Sequence, residues 1–171
     1  PEDPTQAMTA KELVATAFYA RSCIQITRIA EILGYADDAA RYAALRDHVI
    51  AGFLDRFIRL DGTMTSDTQC AYALAIAFGL LDGEPVRKVK AGNCLACLVR
   101  ESGGKVSTGF AGTPFVLPAL TQTGHDDEAY QLLTSTECPS WLYQVTMGAT
   151  TTWERWDSMR PDRSLNPGGM T

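Results

Sequence analysis

The chain has 171 residues, 46% of them hydrophobic, and its 15 basic and 20 acidic side chains give a net charge of -5. That length and apolar content suffice for one buried core, while the acidic balance and the lack of a Lys/Arg cluster exclude the electrostatic footprint of phosphate-backbone binding, so nucleic acid is not expected as a partner. The apolar stretches are broken well short of the roughly 20 residues of a membrane span, and the start lacks a basic segment followed by an apolar core, so no membrane partner is expected either.

Helical periodicity with helix punctuation dominates the chain. Thr9-Ala-Lys-Glu12 reads as a capping box ahead of a long helix through Leu13, Ala17, Ala20 and Ile24 that ends near Gly34. A second helix begins at Asp37-Asp38, whose charge suits a helix N-terminus, carries Leu45, Val49, Phe53 and Phe57 down one face, and ends at Asp61-Gly62. Asp67 is placed to cap a third, with Ala71, Leu74, Ala75, Phe78 and Leu81 as its apolar set and Asp82-Gly83 as its stop. Pro85 opens a fourth, carrying Val86, Val89, Leu95 and Leu98 and closed by Ser102-Gly103-Gly104. Thr113-Pro114 starts a fifth that ends at Gly124, and Asp126-Asp127 starts a sixth through Ala129, Leu132 and Leu133. After Pro139 the composition shifts. Trp141–Val145 and Thr150–Trp153 are rich in β-formers and separated by Met147-Gly148, which predicts a short β-hairpin, and the tail from Arg160 reads as loop.

The five cysteines, Cys23, Cys70, Cys94, Cys97 and Cys138, are odd in number, which argues against a complete disulfide framework and favours a reducing, cytoplasmic setting. Cys94-Leu-Ala-Cys97 has the C-x-x-C spacing but no second ligand pair, so both are read as small buried apolar residues, and no metal or cofactor is expected. The chain lacks an initiator Met and stops in the loop-like Gly168-Gly169-Met170-Thr171, and is therefore read as a fragment; any signal peptide would lie outside it, which leaves secretion open.

Helical hairpins in series build either an open solenoid or a closed α/α toroid. Fixed-period repeats would mark the solenoid, and none is found. The unusual residues sit on the connections Asp61–Asp67, Ser107–Thr113 and Pro139–Trp141, which favours a toroid with its site at the loop end. The richest segment chemically is Ala149–Asp157, where Glu154 stands between Trp153 and Trp156 and beside Arg155. Indole faces pack on the C–H faces of pyranose rings and shield a carboxylate from water, disfavouring its charged form, while the neighbouring guanidinium favours it. Glu154 is the candidate acid or base. The alternative is that both tryptophans anchor the core and Glu154 pairs with Arg155 at the surface.

Over residues 61–168 the chain resembles the bacterial alpha-L-rhamnosidases of glycoside hydrolase family 78. The resemblance runs through Asp67-Thr-Gln69, Ala71-Tyr-Ala-Leu-Ala75, Phe78-Gly-Leu80, Thr108-Gly-Phe110, Gly112-Thr113, Gly124, Ala129-Tyr130, Pro139-Ser-Trp141, Gly148-Ala-Thr-Thr151, Trp153-Glu-Arg-Trp-Asp157 and Asn166-Pro-Gly168, in the family's order. It implies an all-α fold, an incomplete (α/α)6 barrel, in which residues 1–171 form part of a single catalytic domain that hydrolyses terminal alpha-L-rhamnosyl linkages with inversion. The partners implied are a rhamnose-containing glycoside and the remaining parts of the parent chain. Glu154 aligns with the family's general base; the general acid lies on a motif upstream of the region covered, and a closing segment with a sugar-contacting histidine lies downstream. Trp153, Trp156 and Trp141 are then stacking or wall residues, Arg155 and Asp157 orient Glu154, and Gln69, Thr108 and Thr113 are polar ligands of the sugar. For the tryptophans the alternative is a core role, for Arg155 and Asp157 a local salt bridge, and for the polar three helix capping. His48, beside Asp47, is read as solvated and His125 as capping a turn. Another toroid enzyme acting on carbohydrate, a glycosidase or a lyase, and a non-catalytic binding or scaffold module remain the rival readings.

Overall fold

The computed structural model describes residues 8–168. Within them the chain forms seven helices: α1 (Lys11–Leu33), α2 (Ala36–Phe57), α3 (Gln69–Ala77), α4 (Pro85–Glu101), α5 (Thr113–Gln122), α6 (Asp126–Thr134) and α7 (Trp141–Thr146). α1 turns Leu13, Ala17, Ala20, Cys23, Thr27 and Ala30 inward at steps of three and four, which is the stripe a helix needs to pack on a neighbour. It stops at Gly34, whose φ of 78° places it in the left-handed region, and the tight turn sends α2 back antiparallel along it. Val49, Phe53 and Phe57 of α2 face this partner layer and the core.

α3 is short and has no solvent face. Every residue from Gln69 to Ile76 is buried, because α1, α4 and α5 all pack on it. The contacts arrange the helices as three hairpins, α1/α2, α3/α4 and α5/α6, with α1, α3 and α5 adjacent in one layer and α2, α4 and α6 backing them. Phe18 of α1, Phe78 at the end of α3 and Phe115 of α5 meet edge to face across this inner layer, with the Arg21 guanidinium over two of the rings. The inner helices start at one end of the molecule. Ala10 N–H donates to Ser66 Oγ at 3.0 Å and the Thr9 and Thr68 hydroxyls bond at 2.8 Å, which ties the start of α1 to that of α3. Gln69 reaches in turn from α3 to the segment leading into α5.

Several local expectations are corrected. The β-hairpin over 141–153 does not form, and no strand occurs among the described residues beyond two isolated bridges. Trp141–Thr146 is helical instead, capped by Ser140 Oγ, which accepts from Tyr143 N–H at 3.2 Å, and closed by Ala149 N–H on Gln144 O at 3.0 Å. Burial of Tyr143 and Gln144 on one side, together with that cap, outweighs the β-preference of Trp, Tyr and Val. Thr9 caps no helix, because its hydroxyl is taken by Thr68, and Thr68 rather than Asp67 caps α3. Asp67 accepts from the buried Tyr72 hydroxyl at 2.8 Å. α2 ends at Phe57, where Ile58 turns extended to pair with Met64, and α3 ends at Ala77, short of Asp82-Gly83. Val86 and Val89 face outward on α4, and of the two cysteines expected to be buried Cys94 is only partly so, while Cys97 is exposed beside Glu101.

Candidate active site

At the end where α3, α5 and α7 begin, three connections converge: 105–112 between α4 and α5, 135–140 between α6 and α7, and 147–158 after α7. Backbone polar groups on such loops need partners, and here the partners stitch the loops together. Gln69, 1% exposed at the start of α3, donates to Lys105 O at 3.1 Å and to Ser102 Oγ at 3.4 Å, and accepts from Ser107 N–H at 3.0 Å. Val106 N–H donates to Pro139 O at 3.0 Å, which joins the first loop to the second. Trp153 N–H donates to Gln144 Oε1 at 3.2 Å and the Tyr143 hydroxyl to Met159 O at 2.7 Å, which fastens the third loop to α7.

Between the loops lies an open cavity of about 590 Å3, lined by Thr108, Gly109, Phe110, Thr113, Pro114, Cys138, Pro139, Trp141 and the run Thr152–Asp157. That size is within the about 300–1,000 Å3 usual for small-molecule sites. Trp141 and Trp156 meet edge to face with ring centroids 5.3 Å apart, each partly buried against the core, so they form a fixed wall. Trp153 sits beside them at intermediate exposure. Thr108 and Thr113 also line the wall, but their hydroxyls bond to each other at 2.8 Å, and Thr113 donates further to Thr108 O and Gly109 O. They fix the loop that carries Phe110. Gly112 lets this loop lie against α3: a Cβ there would stand 2.8 Å from Cys70 Sγ.

Glu154 is exposed on the cavity wall and makes no hydrogen bond or ion pair to any described residue. The surface ion pair between Glu154 and Arg155 is not formed. Arg155 turns the other way, its Nε and Nη2 donating to the two carboxylate oxygens of Asp157 at 3.0 and 3.2 Å, and Asn166 Nδ2 donates to Asp157 Oδ2 at 2.9 Å. Nor do the indoles enclose Glu154, which stays exposed on the wall beside them. Burial pushes the Cys138 thiol above its usual range, the Asp157 charge adds to that, and Lys105 opposes it.

Of the residues singled out from the sequence, Glu154, Trp141, Trp153, Trp156, Arg155, Asp157, Thr108 and Thr113 share this cavity wall, whereas Gln69 does not. Gln69 is a buried strut between α3 and the first loop. Phe110, 76% exposed on the wall, and Cys138 were not singled out; an aromatic residue between glycines on a helix connection was the available signal for Phe110. His48 is exposed on α2, and His125 stands at the N-terminal boundary of α6 with no side-chain cap bond. No group of three or more His, Cys, Asp or Glu side chains able to hold a metal ion occurs among the described residues, and no described helix is long and apolar enough to cross a membrane.

Residues 1–171 match the model of the bacterial alpha-L-rhamnosidase 6 hairpin glycosidase domain. An alpha-L-rhamnosidase of Streptomyces avermitilis is 42% identical over 154 residues, 90% of this chain and 15% of that protein. The crystal structure of native alpha-L-rhamnosidase from Aspergillus terreus superposes with a TM-score of 0.92 at 38% identity, covering 98% of this chain and 20% of that one. The Streptomyces avermitilis alpha-L-rhamnosidase complexed with L-rhamnose gives 0.85 at 41% identity, covering 92% and 15%. The chain thus spans a fifth or less of the length of these relatives.

Proposed function

Since the chain belongs to the bacterial alpha-L-rhamnosidase 6 hairpin glycosidase domain family, we propose that it is part of an enzyme that hydrolyses terminal alpha-L-rhamnosyl linkages with inversion, and that Glu154 is the general base. Its three hairpins are one side of an (α/α)6 barrel, with the cavity at the end where the inner helices begin. The observation that carries the reading is Glu154, exposed on an aromatic-walled cavity with no partner among the described residues. A carboxylate so placed is available to a water molecule, and the Trp141, Trp153, Trp156 and Phe110 rings offer the apolar faces that sugar C–H groups pack on. The L-rhamnose complex of the Streptomyces relative supports a rhamnosyl unit as the ligand.

The chemistry needs two carboxyl groups. Water oxygen bonds to the anomeric carbon while Glu154 takes its proton; the glycosidic C–O bond breaks on the opposite face, and the departing oxygen takes a proton from a carboxylic acid roughly 6.5–9.5 Å from the base. Asp157 is the other carboxylate on the described wall, and it is held by Arg155 and Asn166. The acid is therefore assigned to a part of the protein outside these residues.

In the full-length enzyme Glu154→Gln is expected to keep substrate binding and lower kcat by about 10²- to 10⁴-fold, because an amide takes no proton from water. Added azide should attack from the vacated face and give a beta-configured rhamnosyl azide. An unchanged kcat with a raised KM would make Glu154 a binding residue and sink the assignment.

A further inference from the structure

Glu154 and Arg155 are neighbours in sequence, and a guanidinium next to a carboxylate readily closes on it: Arg46 Nε stands 2.8 Å from Asp47 Oδ1 on α2 of this same chain. Such closure would damage a general base, because a salt bridge favours its charged form and occupies the oxygens that must receive a proton. Arg155 is instead held away by a layered restraint. Asp157 grips it through both carboxylate oxygens, the fork geometry that gives an Arg–carboxylate pair its directionality. Asn166 holds Asp157 from the other side at 2.9 Å, and its own backbone N–H is fixed on Ser158 O at 2.8 Å. The Arg155 carbonyl accepts from the Ser158 hydroxyl at 3.1 Å. Gly168 closes over the remaining edge of the guanidinium, where a Cβ would stand 2.7 Å from Nη1.

We infer that Asp157, itself held by Asn166, is a positioning residue that keeps Arg155 off Glu154 and so leaves the base free to accept a proton. The inference rests on Glu154 being the base. The titratable groups that share the cavity wall with Glu154 are Arg155 and Asp157 on its own segment and Cys138 on the connection before α7. The loop 108–113 and Trp141 contribute none. The Cys138 thiol, pushed up by burial, stays protonated near neutral pH, and Lys105, the cation that acts on it, is paired with Glu137 at 3.1 Å. Once Asp157 is removed, Glu154 is the carboxylate on this wall left for Arg155.

The test is made in the full-length enzyme with an aryl alpha-L-rhamnoside. Asp157→Ala is expected to lower kcat at least tenfold and to move the acidic limb of the kcat/KM profile to lower pH by about one unit or more, the size of effect an unopposed guanidinium has on a nearby carboxylate. Asp157→Ala combined with Arg155→Met should return the limb to its wild-type position and recover most of kcat, since the offending cation is gone. Asn166→Ala should move the limb in the same direction by less, which keeps the question answerable if Asp157→Ala folds poorly. A purely structural role for Asp157 predicts that the double variant is no better than the single one and that neither limb moves; either result overturns the inference. If Glu154→Gln retains kcat, the base assignment itself has failed, whereas a crippled Glu154→Gln beside an unmoved Asp157→Ala profile rejects only the role of Asp157.

Discussion

Gln69 and Cys138 show how single side chains hold this site without reacting in it. The Gln69 amide joins the start of α3 to Lys105 and Ser107 from a buried position, so Gln69→Leu cuts both ties and leaves the part-buried Ser107 N–H without its partner, while Lys105 O keeps the Ser102 hydroxyl. Orphaned groups of this kind cost about 1–3 kcal/mol each, and a fall of about 2 kcal/mol in unfolding free energy is expected from urea titration of the full-length protein. An unchanged midpoint would show that the 105–112 loop holds itself. At Cys138, burial first and the Asp157 charge second keep the thiol protonated. Alkylation at pH 8 should therefore be slower than for an unstructured thiol. Asp157→Asn should speed it, because losing a neighbouring negative charge lowers the thiol pKa and raises the thiolate fraction at fixed pH. Bound L-rhamnose should slow it if the cavity is the sugar site.

Among the elements, α7 and the loop before α5 have the least regular structure to support them and depend most on specific atoms. Ser140 supplies the capping oxygen of α7, and its replacement by Ala is expected to cost about 1 kcal/mol. Because Trp141 follows immediately, the same change should loosen the Trp141–Trp156 wall, visible as a shifted tryptophan emission. Gly112 is constrained by space rather than by its φ: Ala there puts a methyl group 2.8 Å from Cys70 Sγ and 3.2 Å from Cys70 Cα, and the second of these is backbone that cannot swing aside. Overpacking of this kind costs about 1–3 kcal/mol. The accompanying displacement of the Phe110 loop should raise KM more than it lowers kcat. A KM equal to wild type would place Phe110 off the substrate path.

On the scale of the molecule, α3 is covered by its neighbours, whereas one side of α1 is left open. Tyr19, Ile26, Ile29 and Leu33 of α1 recur at helical spacing and stay exposed, with Ile32 and Tyr35 beside them. A contiguous apolar stripe of this kind on an inner helix favours association. The 171-residue chain expressed by itself is accordingly expected to self-associate, in sedimentation or light scattering, and to show no turnover of an aryl alpha-L-rhamnoside. A stable monomer at high concentration would contradict the first expectation, and measurable turnover the second.

The sequence by itself determined the six principal helices, since 3.6-residue periodicity, the acidic first turns of α2 and α6, Pro85 and the stops at Gly34, Gly103 and Gly124 are local signals that burial then reinforces, whereas Gly62 and Gly83 stand beyond the ends of α2 and α3. It also determined the family, because motifs such as Thr108-Gly-Phe110 and Trp153-Glu-Arg-Trp-Asp157 recur in order along the chain. The tertiary structure decided the rest. Whether Trp141–Thr146 was strand or helix turned on the Ser140 cap and on which side chains could be buried, and β-propensity in a short segment is too weak to resist either. Where each polar side chain spent its hydrogen bonds was likewise a matter of the folded chain: Thr9 went to Thr68 and Gln69 to Lys105 and Ser107, far along the sequence, and Asp157 went to Arg155 and Asn166 rather than leaving Arg155 to Glu154. A residue type fixes what a group can donate or accept, and only the folded chain fixes what stands within about 3 Å of it.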